Sequence, residues 1–402
     1  MRPLYLFNSI LSADVPAATL VFGRVCHCCR FEEGTYMSMK KKILIITNHS
    51  YMFWRFRKEL VEALLQDHEV IISTPFVGHE EDLAALGCRM IETQLNRRSF
   101  NPLSDMKLLH FYLDLLKAEN PDLVITYSIK PNIYAGLACR MLKTPYCMNV
   151  QGLGTAFQKN GIAQMVTILY RMAAADARVV FFENTESANI FVNKKITPAE
   201  KQFVLPGAGI NLENYAYAPY PQNEATHFLY LGRFMREKGM DELIYAIKKL
   251  HQIYGNKVVL DLVGFFEDEY KEQINQLVAD GIAVFHGFQQ EPRPYYTMAD
   301  CVVLPSHHEG LSNVLLEAAA MGRPVITNDI AGCREAVIKN KSGLLCPAKD
   351  KEKLFEAMNT FMQLPQEERE TMGKHGRTFM DEFDKKKVVQ QTVEAIFCGT
   401  LL

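Results

Sequence analysis

The chain has 402 residues, of which 48% are apolar and 22% charged, and its 44 basic and 46 acidic side chains leave a formal charge of −2. This balance is typical of globular domains and excludes a disordered chain, and the near-neutral charge excludes a generally basic nucleic-acid binder. The length predicts two or three domains, and no stretch of the sequence approaches the roughly 18 uninterrupted apolar residues of a membrane span.

The ten cysteines are scattered and lie mostly in or beside apolar runs, which is typical of reduced thiols in a cytoplasmic protein. One cluster differs, because Cys26-His27-Cys28-Cys29 places four potential ligands in consecutive positions. Adjacent residues do not easily form the tetrahedral site of zinc, and the sequence has no second Cys/His pair at a finger-like distance. We therefore predict that the chain binds no metal ion.

The first 39 residues differ from the rest of the chain. Their apolar stretch Leu4–Leu11 is interrupted by polar side chains and is not followed by a clean signal-peptide cleavage site. A basic run that ends at Lys42 then leads directly into an apolar segment, as in many cytoplasmic α/β enzymes. We predict that residues 1–39 are a disordered leader or an artefact of start-site choice, with translation beginning at Met37 or Met39.

From residue 40 onwards, short apolar runs alternate with helical stretches. The runs are continuously apolar, which is typical of strands covered on both faces. The predicted strands are Ile43–Thr47, Val70–Thr74, Leu123–Tyr127, Tyr146–Val150, Val179–Glu183, Phe228–Gly232, Val258–Val263, Ala283–His286, Cys301–Pro305, Pro324–Thr327 and Leu344–Cys346. The predicted helices are Phe56–Gln66, Leu103–Glu119, Met240–Tyr254, Glu267–Asp280 and Val314–Met321.

This alternation of β and α elements predicts parallel sheets with right-handed crossovers. Because the predicted strands are too many for one ordinary open sheet, we predict an α/β fold of two doubly wound, Rossmann-like domains that face a central cleft. The first domain covers residues 40–200 and the second residues 201–380, with residues 206–226 as a connecting loop. Residues 381–402 are expected to form a helical segment that packs back on the first domain.

Residues 305–318 follow a predicted strand and enter a helix. Gly310–Asn313 lie at the helix start, where exposed amides and the positive end of the helix dipole favour a phosphate group. Glu309 precedes the helix and Glu317 lies further along it, so their carboxylates are expected roughly 12 Å apart. That separation suits two distant parts of one extended ligand rather than a shared acid/base pair. An ordinary helix cap with an incidental exposed glutamate is the alternative.

Two further segments end strands of the second half. Gly232 and Arg233 follow a strand and Lys238 opens the next helix, so both cations are candidates to neutralise a departing diphosphate. A solvated basic turn is the alternative. His286 and Gly287 end another strand, where the backbone is expected to face a flat base.

In this order and spacing, the three segments resemble the retaining glycosyltransferase family 4 of the GT-B fold. The resemblance covers essentially all of residues 40–390. It implies that Arg233 and Lys238 hold the diphosphate of a nucleotide sugar and that Glu309 contacts the donor sugar, which makes these three the expected catalytic residues. The other donor-binding residues it implies are Gly232, His286, Gly287, Gly310, Leu311, Ser312, Asn313 and, at the ribose hydroxyls, Glu317.

The first half looks like a narrower branch, namely bacterial enzymes that add a GalNAc- or galactose-type sugar to undecaprenyl-diphosphate-linked acceptors. The likeness lies in Lys130-Pro131-Asn132 and in Gln151-Gly152-Leu153-Gly154. It implies that Lys130 meets an acceptor phosphate, and a surface lysine in a loop is the alternative. The acceptor-side residues expected from this likeness are Ser50, Lys130, Asn132, Gln151 and Gly152.

Two positions depart from the family's pattern. Asn48-His49-Ser50-Tyr51 stands where many members carry a glycine pair, and Gln151 stands where many carry a histidine. Glutamine does not titrate near neutral pH. Any role of Gln151 is therefore hydrogen bonding to a sugar rather than proton transfer.

The resemblance further implies retention at the anomeric carbon without a metal or other cofactor, with a UDP-sugar as co-substrate and the departing phosphate as acceptor of the proton. A lipid-linked acceptor requires peripheral contact with the inner face of the cytoplasmic membrane. The candidate surface is the aromatic and basic cluster Met52–Lys58, supported by Arg97 and Arg98. Alternatively, Phe53 and Phe56 belong to the core and the cations line the cleft.

Other functions remain as alternatives. A nicotinamide-dependent oxidoreductase would carry G-x-G-x-x-G between a strand and a helix, and Gly207-Ala208-Gly209 lacks the third glycine because Leu212 stands there. A UDP-sugar epimerase of GT-B form would need acid/base groups, for which His307 and His308 are candidates. A transferase for another acceptor, such as lipopolysaccharide core, would use the same donor site. A non-catalytic scaffold would be expected to lose parts of the donor set, which is complete here.

Overall fold

The computed structural model describes residues 40–94, 102–153 and 160–398. The predicted leader of residues 1–39, the Cys26–Cys29 run and the basic pair Arg97 and Arg98 lie outside these residues. Among the described helices, none is both long enough and apolar enough to cross a membrane.

The first half of the chain builds a sheet of seven strands. They are β1 (Lys42–Ile46), β2 (Glu69–Thr74), β3 (Arg89–Glu92), β4 (Leu123–Tyr127), β5 (Tyr146–Val150), β6 (Val180–Phe182) and β7 (Gln202–Val204). Their order is β3-β2-β1-β4-β5-β6-β7, and all neighbouring pairs are parallel. The strand order reverses between β1 and β4, which is the switch point where doubly wound sheets bind ligands. This sheet with its helices is the N-terminal domain.

The second half builds a sheet of six strands, which with its helices is the C-terminal domain. They are β8 (Thr226–Phe234), β9 (Val258–Phe266), β10 (Ala283–Gly287), β11 (Cys301–Leu304), β12 (Val325–Asn328) and β13 (Gly343–Cys346). Their order is β10-β9-β8-β11-β12-β13, again with parallel pairing throughout. The predicted α/β fold of two doubly wound parallel-sheet domains is confirmed.

All the strands predicted from apolar runs are present, and two edge strands are additional. β3 begins and ends with the exposed charged residues Arg89 and Glu92, and β7 has only three residues, none of them buried. Neither therefore shows a buried apolar run in the sequence. Since β7 pairs with β6, the N-terminal sheet continues past residue 200, where the sequence analysis placed the end of the first domain.

Helices cover both faces of each sheet. They are α1 (Ser50–Leu65), α2 (Glu80–Ala85), α3 (Pro102–Glu119), α4 (Ile129–Leu142), α5 (Asn160–Ala174), α6 (Thr185–Asn193), α7 (Met240–Tyr254), α8 (Lys271–Ala279), α9 (Arg293–Met298), α10 (Asn313–Ala320), α11 (Lys351–Gln363), α12 (Gln366–Phe379) and α13 (Lys385–Cys398). In the N-terminal domain, α3, α4 and α5 bury their apolar sides in one cluster, and α1 and α13 share the other.

The C-terminal helix α13 packs against α1 of the N-terminal domain, with Val388 and Ile396 buried in the same cluster as residues of α1. The segment before α13 runs beside the interdomain loop. The Ile210 amide donates to the Phe383 carbonyl at 2.8 Å, and the Lys385 amide donates to the Ile210 carbonyl at 2.9 Å. The chain therefore passes between the two domains twice at adjacent positions, which fixes how the two sheet edges face each other.

Candidate active site in the interdomain cleft

The segment between β11 and α10 forms a tightly held loop, residues 305–312, at the carboxyl end of the C-terminal sheet. Asn328 of β12 donates its side-chain amide to the Pro305 and Ser306 carbonyls at 2.8 and 2.9 Å. The Ser312 hydroxyl caps α10, and the Ser312 amide donates to the Gly332 carbonyl at 2.8 Å. The predicted helix start is thus present and rigidly supported, and phosphate binding there stays a prediction.

Lys238 and Glu309 meet at this loop. Lys238 Nζ lies 2.6 Å from Glu309 Oε1, and both side chains are mostly buried. Lys238 reaches the loop from the short helical turn after β8, which ends at Gly239 with φ +74°. A Cβ on Gly239 would collide with the Pro305 carbonyl, so only glycine permits this close approach. The structure therefore brings together two segments that are about 70 residues apart in the sequence.

Arg233 at the end of β8 pairs with a different carboxylate. Its Nη1 lies 2.7 Å from Glu267 Oε2, and the arginine side chain is 46% exposed. Gly232 precedes it with φ +157°, and the Tyr230 hydroxyl donates to the Arg233 carbonyl at 2.7 Å. Arg233 and Lys238 thus lie on the same edge of the sheet, each held by its own carboxylate partner.

Glu317 of α10 is buried and hydrogen-bonded from both domains. The Tyr296 hydroxyl donates to its Oε2 at 2.8 Å, and Arg55 of α1 donates to its Oε1 at 3.3 Å. Glu309 instead contacts Lys238, so the two carboxylates act at separate points, as their spacing predicts. A single carboxylate between a phenol and a guanidinium is suited to accept hydrogen bonds from vicinal hydroxyls of a sugar ring.

The end of β10 carries His286, which is fixed by a buried aspartate. His286 Nε2 lies 2.8 Å from Asp261 Oδ1, and His227 Nδ1 lies 2.8 Å from Asp261 Oδ2. The hydrogen bond that His227 donates to Asp261 raises the pKa of this histidine. Gly287 follows with φ +70° and open space around its Cα, so its backbone is accessible to a flat ligand.

One of the two histidines considered for epimerase chemistry is engaged by residues near the start of the C-terminal domain. His307 Nε2 lies 3.1 Å from Glu242 Oε1 of α7, and its own amide donates to the Glu237 carbonyl. Burial lowers the pKa of the neighbouring His308, which favours its neutral form. Within the described residues, no group of three histidine, cysteine or carboxylate side chains is placed to hold a metal ion.

Three acceptor-side residues are engaged inside the N-terminal domain. Ser50 begins α1, is buried, and accepts a hydrogen bond from the Val77 amide at 2.9 Å. Lys130 lies in α4 rather than in a loop and forms a buried ion pair with Asp105 at 2.7 Å. Asn132 is fully buried and donates to the Asn149 carbonyl at 2.8 Å. These contacts place Ser50, Lys130 and Asn132 in the core of the N-terminal domain.

The other two acceptor-side residues face the C-terminal domain. Gln151 and Gly152 follow β5 at the sheet edge, and the Ser128 hydroxyl donates to Gln151 Oε1 at 3.4 Å. Gly310 lies so close that a Cβ there would stand 1.6 Å from the Gln151 carbonyl oxygen. Gln151 and Gly152 are therefore the predicted acceptor residues that lie next to residues 305–312, which we call the donor loop.

Part of the cluster Met52–Lys58 is turned away from solvent, and its role as a membrane surface stays a prediction. Phe53 is buried, and Arg57 is 5% exposed and pairs with Glu183 Oε1 at 2.7 Å. Arg55 is held by Glu317 across the cleft. Arg55 and Arg57 thus line the cleft, as in the alternative, whereas Lys58 pairs with Glu62 of the same helix and is exposed.

Two cleft residues, Glu183 and Asn184, directly follow β6 and were not predicted from the sequence. Asn184 donates its side-chain amide to the Gly310 carbonyl at 2.6 Å, across the cleft. Burial raises the pKa of Glu183 to about 7, although Arg57 and the Leu311 amide oppose this shift. The signal was present, because polar residues directly after a buried strand mark the ligand edge of such a sheet.

The sequence matches two families, one in each domain. Residues 42–184 match the family described as Glycosyl transferase 4-like, and residues 220–379 match the family described as Glycosyl transferases group 1. The matched segments contain every site residue described above and together cover most of the chain.

Two bacterial relatives are similar along most of their length. The N,N'-diacetylbacillosaminyl-diphospho-undecaprenol alpha-1,3-N-acetylgalactosaminyltransferase of Campylobacter jejuni is 24% identical over 342 residues, which is 80% of this chain and 89% of that protein. The capsular polysaccharide biosynthesis glycosyltransferase CapM of Staphylococcus aureus is 23% identical over 316 residues, which is 75% of this chain and 83% of that protein.

A solved structure shares the fold. HepE from Anabaena, in complex with UDP and glucose, has a TM-score of 0.74 at 19% identity, with 89% of this chain and 99% of that chain covered. With a glycosyltransferase family matching each of its two doubly wound domains, the chain belongs to the GT-B glycosyltransferases that combine a 4-like domain with a group 1 domain.

Proposed function

We propose that the chain transfers a hexose or N-acetylhexosamine from a UDP-sugar to a polyprenyl-diphosphate-linked glycan, with retention at the anomeric carbon, in the synthesis of a surface polysaccharide. The observation that carries this proposal is the Lys238–Glu309 pair at the amide-rich start of α10. The names of the C. jejuni and S. aureus relatives support the lipid-linked acceptor and the polysaccharide product. The UDP in the Anabaena complex supports the uridine nucleotide.

On the donor side, the diphosphate would replace Glu309 as the ion-pair partner of Lys238, and it would bind the amides of Gly310–Asn313. Arg233 would exchange Glu267 for the same diphosphate, since its side chain is half exposed and its ion pair is therefore weak. Glu309 would then be free to accept hydrogen bonds from the donor sugar. Two cations and a helix start provide the positive charge that stabilises departing UDP.

The nucleoside would lie along α10 towards Glu317. That carboxylate, held by Tyr296, would accept hydrogen bonds from the ribose hydroxyls in place of those from Arg55. The uracil would lie on the open backbone at Gly287, next to the fixed ring of His286. We propose that this arrangement works without a metal ion and that the departing phosphate takes the proton of the acceptor hydroxyl.

On the acceptor side, Gln151 would bind the acceptor sugar. Its side chain is partly exposed at the edge of the N-terminal sheet, and its backbone touches the donor loop at Gly310. Lys130 and Asn132 would act only indirectly, because their side chains are buried. An amide offers both a donor and an acceptor to a sugar hydroxyl and cannot remove its proton at neutral pH.

The direct test is transfer from UDP-GalNAc, UDP-galactose and UDP-glucose to an undecaprenyl-diphosphate-linked saccharide, followed by mass spectrometry and by NMR of the new anomeric centre. Lys238→Ala and Glu309→Gln should each reduce kcat by about 100-fold or more. Lys58→Ala, which changes an exposed lysine, should leave it unchanged. Unaltered turnover in both active-site variants would refute the assignment. Interconversion of UDP-sugars without an acceptor would indicate an epimerase instead.

We further propose that the protein associates peripherally with the inner face of the cytoplasmic membrane through α3 and α5. Both helices cover the same face of the N-terminal sheet and expose large apolar side chains, in the second turn of α3 and in the middle of α5. Met106 of α3 is 58% exposed and Ile168 of α5 is 54% exposed. The exposed cations Lys107 and Arg171 lie next to them, which suits an anionic bilayer.

This membrane surface can be tested by flotation with anionic liposomes. The double variant Met106→Glu/Ile168→Glu should lose binding, because it places two charges where apolar contact is proposed. The matched control is Ile253→Glu, which changes an exposed isoleucine of α7 in the other domain and should bind as the unaltered protein does. Equal binding of all three proteins would refute the proposed surface.

A further inference from the structure

One peptide group of the donor loop is held at both ends by consecutive residues of the opposite domain. Asn184 Nδ2 donates to the Gly310 carbonyl at 2.6 Å, and the Leu311 amide of the same peptide donates to the Glu183 carboxylate. Asn184 is itself fixed, because its Oδ1 accepts from the Ser187 amide at 2.8 Å and caps α6. The orientation of this peptide is therefore set from the N-terminal domain.

Glu183 lies in a charged but largely buried environment. Its side chain is 12% exposed and pairs with Arg57 of α1 at 2.7 Å. Lys385 of α13 and Glu309 of the donor loop also face it. Burial raises the pKa of Glu183 to about 7, the two cations and the Leu311 amide lower it, and Glu309 raises it further. Glu183 is thus balanced between its two protonation states near neutral pH.

The Leu311 amide is also one of the groups that we propose for the donor diphosphate, so this inference rests on the proposed function. A carboxylate and a diphosphate both accept hydrogen bonds and are both negative when ionised. Sharing one amide in a water-poor cleft therefore places like charges side by side, which raises the pKa of the weaker acid. Glu183 is the acid whose pKa would rise, because its side chain is enclosed and already takes up a proton near neutral pH.

We propose that Glu183 is a positioning residue of the nucleoside-diphosphate site, which orients the Leu311 amide into the cleft and binds one proton when a nucleoside diphosphate occupies that amide. As a neutral carboxyl group it would donate a hydrogen bond to the diphosphate instead of competing for the amide. Arg57 would then have the diphosphate as its nearest anion. Among the described residues, Arg57 Nε has no hydrogen-bond partner, so it retains a donor for this purpose.

The test is the number of protons taken up when UDP binds at pH 8, measured by titration calorimetry in two buffers with different ionisation enthalpies. The terminal phosphate of UDP has a pKa of about 6 and is fully ionised at this pH, so the nucleotide itself supplies no proton change. The unaltered protein should take up most of one proton for each UDP bound. Glu183→Gln keeps an acceptor for the Leu311 amide but does not titrate, and it should take up close to none.

Glu335→Gln is the matched control. Glu335 accepts a hydrogen bond from the Gly332 amide beside the same loop at 2.7 Å, and burial raises its pKa as well. This variant should show the proton uptake of the unaltered protein. Burial lowers the pKa of Lys385 to about 8, and Glu183 influences it, so this lysine can also take up a proton at pH 8. The comparison is therefore repeated with Lys385→Met in all three proteins, where the proton uptake that remains is not that of the lysine.

The outcomes separate the two proposals. If UDP does not bind to the unaltered protein, the proposed function fails. If UDP binds but Glu183→Gln takes up as many protons as the unaltered protein, only the role of Glu183 fails. Should Glu183→Gln not fold, the infrared difference spectrum of the unaltered protein at pH 8 decides. A protonated carboxyl band should appear when UDP is added, and its absence would overturn the inference.

Discussion

A methyl group added at Gly310 would test the contact between the donor loop and the N-terminal domain. The new Cβ would stand 1.6 Å from the Gln151 carbonyl oxygen and 2.7 Å from Glu183 Oε2. Real Cβ atoms essentially never approach another heavy atom within 3.0 Å, so the two backbones must separate by about 1.4 Å, the difference between 3.0 and 1.6 Å. Because the Gln151 oxygen belongs to the backbone, no change of rotamer relieves this clash.

The magnitude follows from the contacts that the separation breaks. The hydrogen bond from Asn184 to the Gly310 carbonyl is worth about 1 kcal/mol, and the one from the Leu311 amide to the Glu183 carboxylate about 1.5–3 kcal/mol. We expect the cleft to open, with the free energy of unfolding lowered by about 2–4 kcal/mol. A displacement of about 1 Å at reacting groups reduces rates by about 100-fold, and we expect that loss in kcat.

Sugar-transfer kinetics and urea unfolding of Gly310→Ala check both numbers. The matched control is Gly161→Ala near the start of α5, where nothing lies within 4 Å of the added methyl group. That variant should keep its activity and gain slight stability, because alanine favours a helix over glycine. The proposed interdomain contact would be refuted if Gly310→Ala kept its kcat within about threefold and its urea midpoint unchanged.

Three further comparisons test buried charges and backbone contacts by urea unfolding. Lys130→Met leaves the Asp105 carboxylate buried without its cation and should lower the free energy of unfolding by about 3–5 kcal/mol. The control Lys58→Met changes an exposed lysine and should alter it by less than about 0.5 kcal/mol. Similar values for the two variants would contradict the buried pair. Burial lowers the pKa of Lys385 to about 8, so the unfolded chain binds more protons above that pH, and the free energy of unfolding should rise by up to about 3 kcal/mol between about pH 8 and 10.5. Lys385→Met should lack that rise, and an identical pH profile would contradict the shift. Gly373→Ala places a methyl group against the Gly322 carbonyl and should lower the free energy of unfolding by about 1–3 kcal/mol. Gly376→Ala on the same helix meets only ordinary contacts at 3.5 Å and should leave it unchanged. Equal effects of the two variants would contradict this packing.

The fold was predictable because its strands are buried on both faces. A run such as Ile43–Ile46 is apolar at every position and is wholly buried, so pattern and structure agree. The edge strands β3 and β7 escaped because one of their sides lacks a neighbouring strand and their side chains are partly exposed. Such strands are defined by pairing with a distant segment, which a local pattern does not contain.

The positions of the expected donor-side residues were predictable for a different reason, since these residues lie in the turns that end strands; their roles stay predictions. Lys238 and Glu309 were both found in this way, although their direct contact depends on the close approach of Gly239 to the Pro305 carbonyl. The burial of Lys130 was not predicted because the sequence does not show that α3 supplies a buried aspartate for it. Long-range partners decide whether a lysine after a strand lies in solvent or in the core.

The basic cluster Met52–Lys58 on α1 shows the same dependence on partners that are distant in the sequence. Aromatic and basic residues in one helical segment fit a membrane surface and a cleft wall equally well by composition. Arg55 and Arg57 lie in the cleft because Glu317 and Glu183 receive them there. Those carboxylates stand 262 and 126 residues away in the sequence, so only the folded structure shows that the two arginines meet them.

These ion pairs also determine what donor binding changes in the cleft. Lys238 and Arg233 each have a carboxylate partner in the C-terminal domain, and Arg57 has one in the N-terminal domain. A buried unpaired charge is costly, so these partners stabilise the cleft when no other anion contacts the cations. A diphosphate would therefore gain affinity only from the difference between its contacts and those it replaces. The half-exposed ion pair between Arg233 and Glu267 is the weakest, so the diphosphate would replace Glu267 most easily. At the enclosed pair between Arg57 and Glu183, we propose that a proton bound by Glu183 compensates the added negative charge.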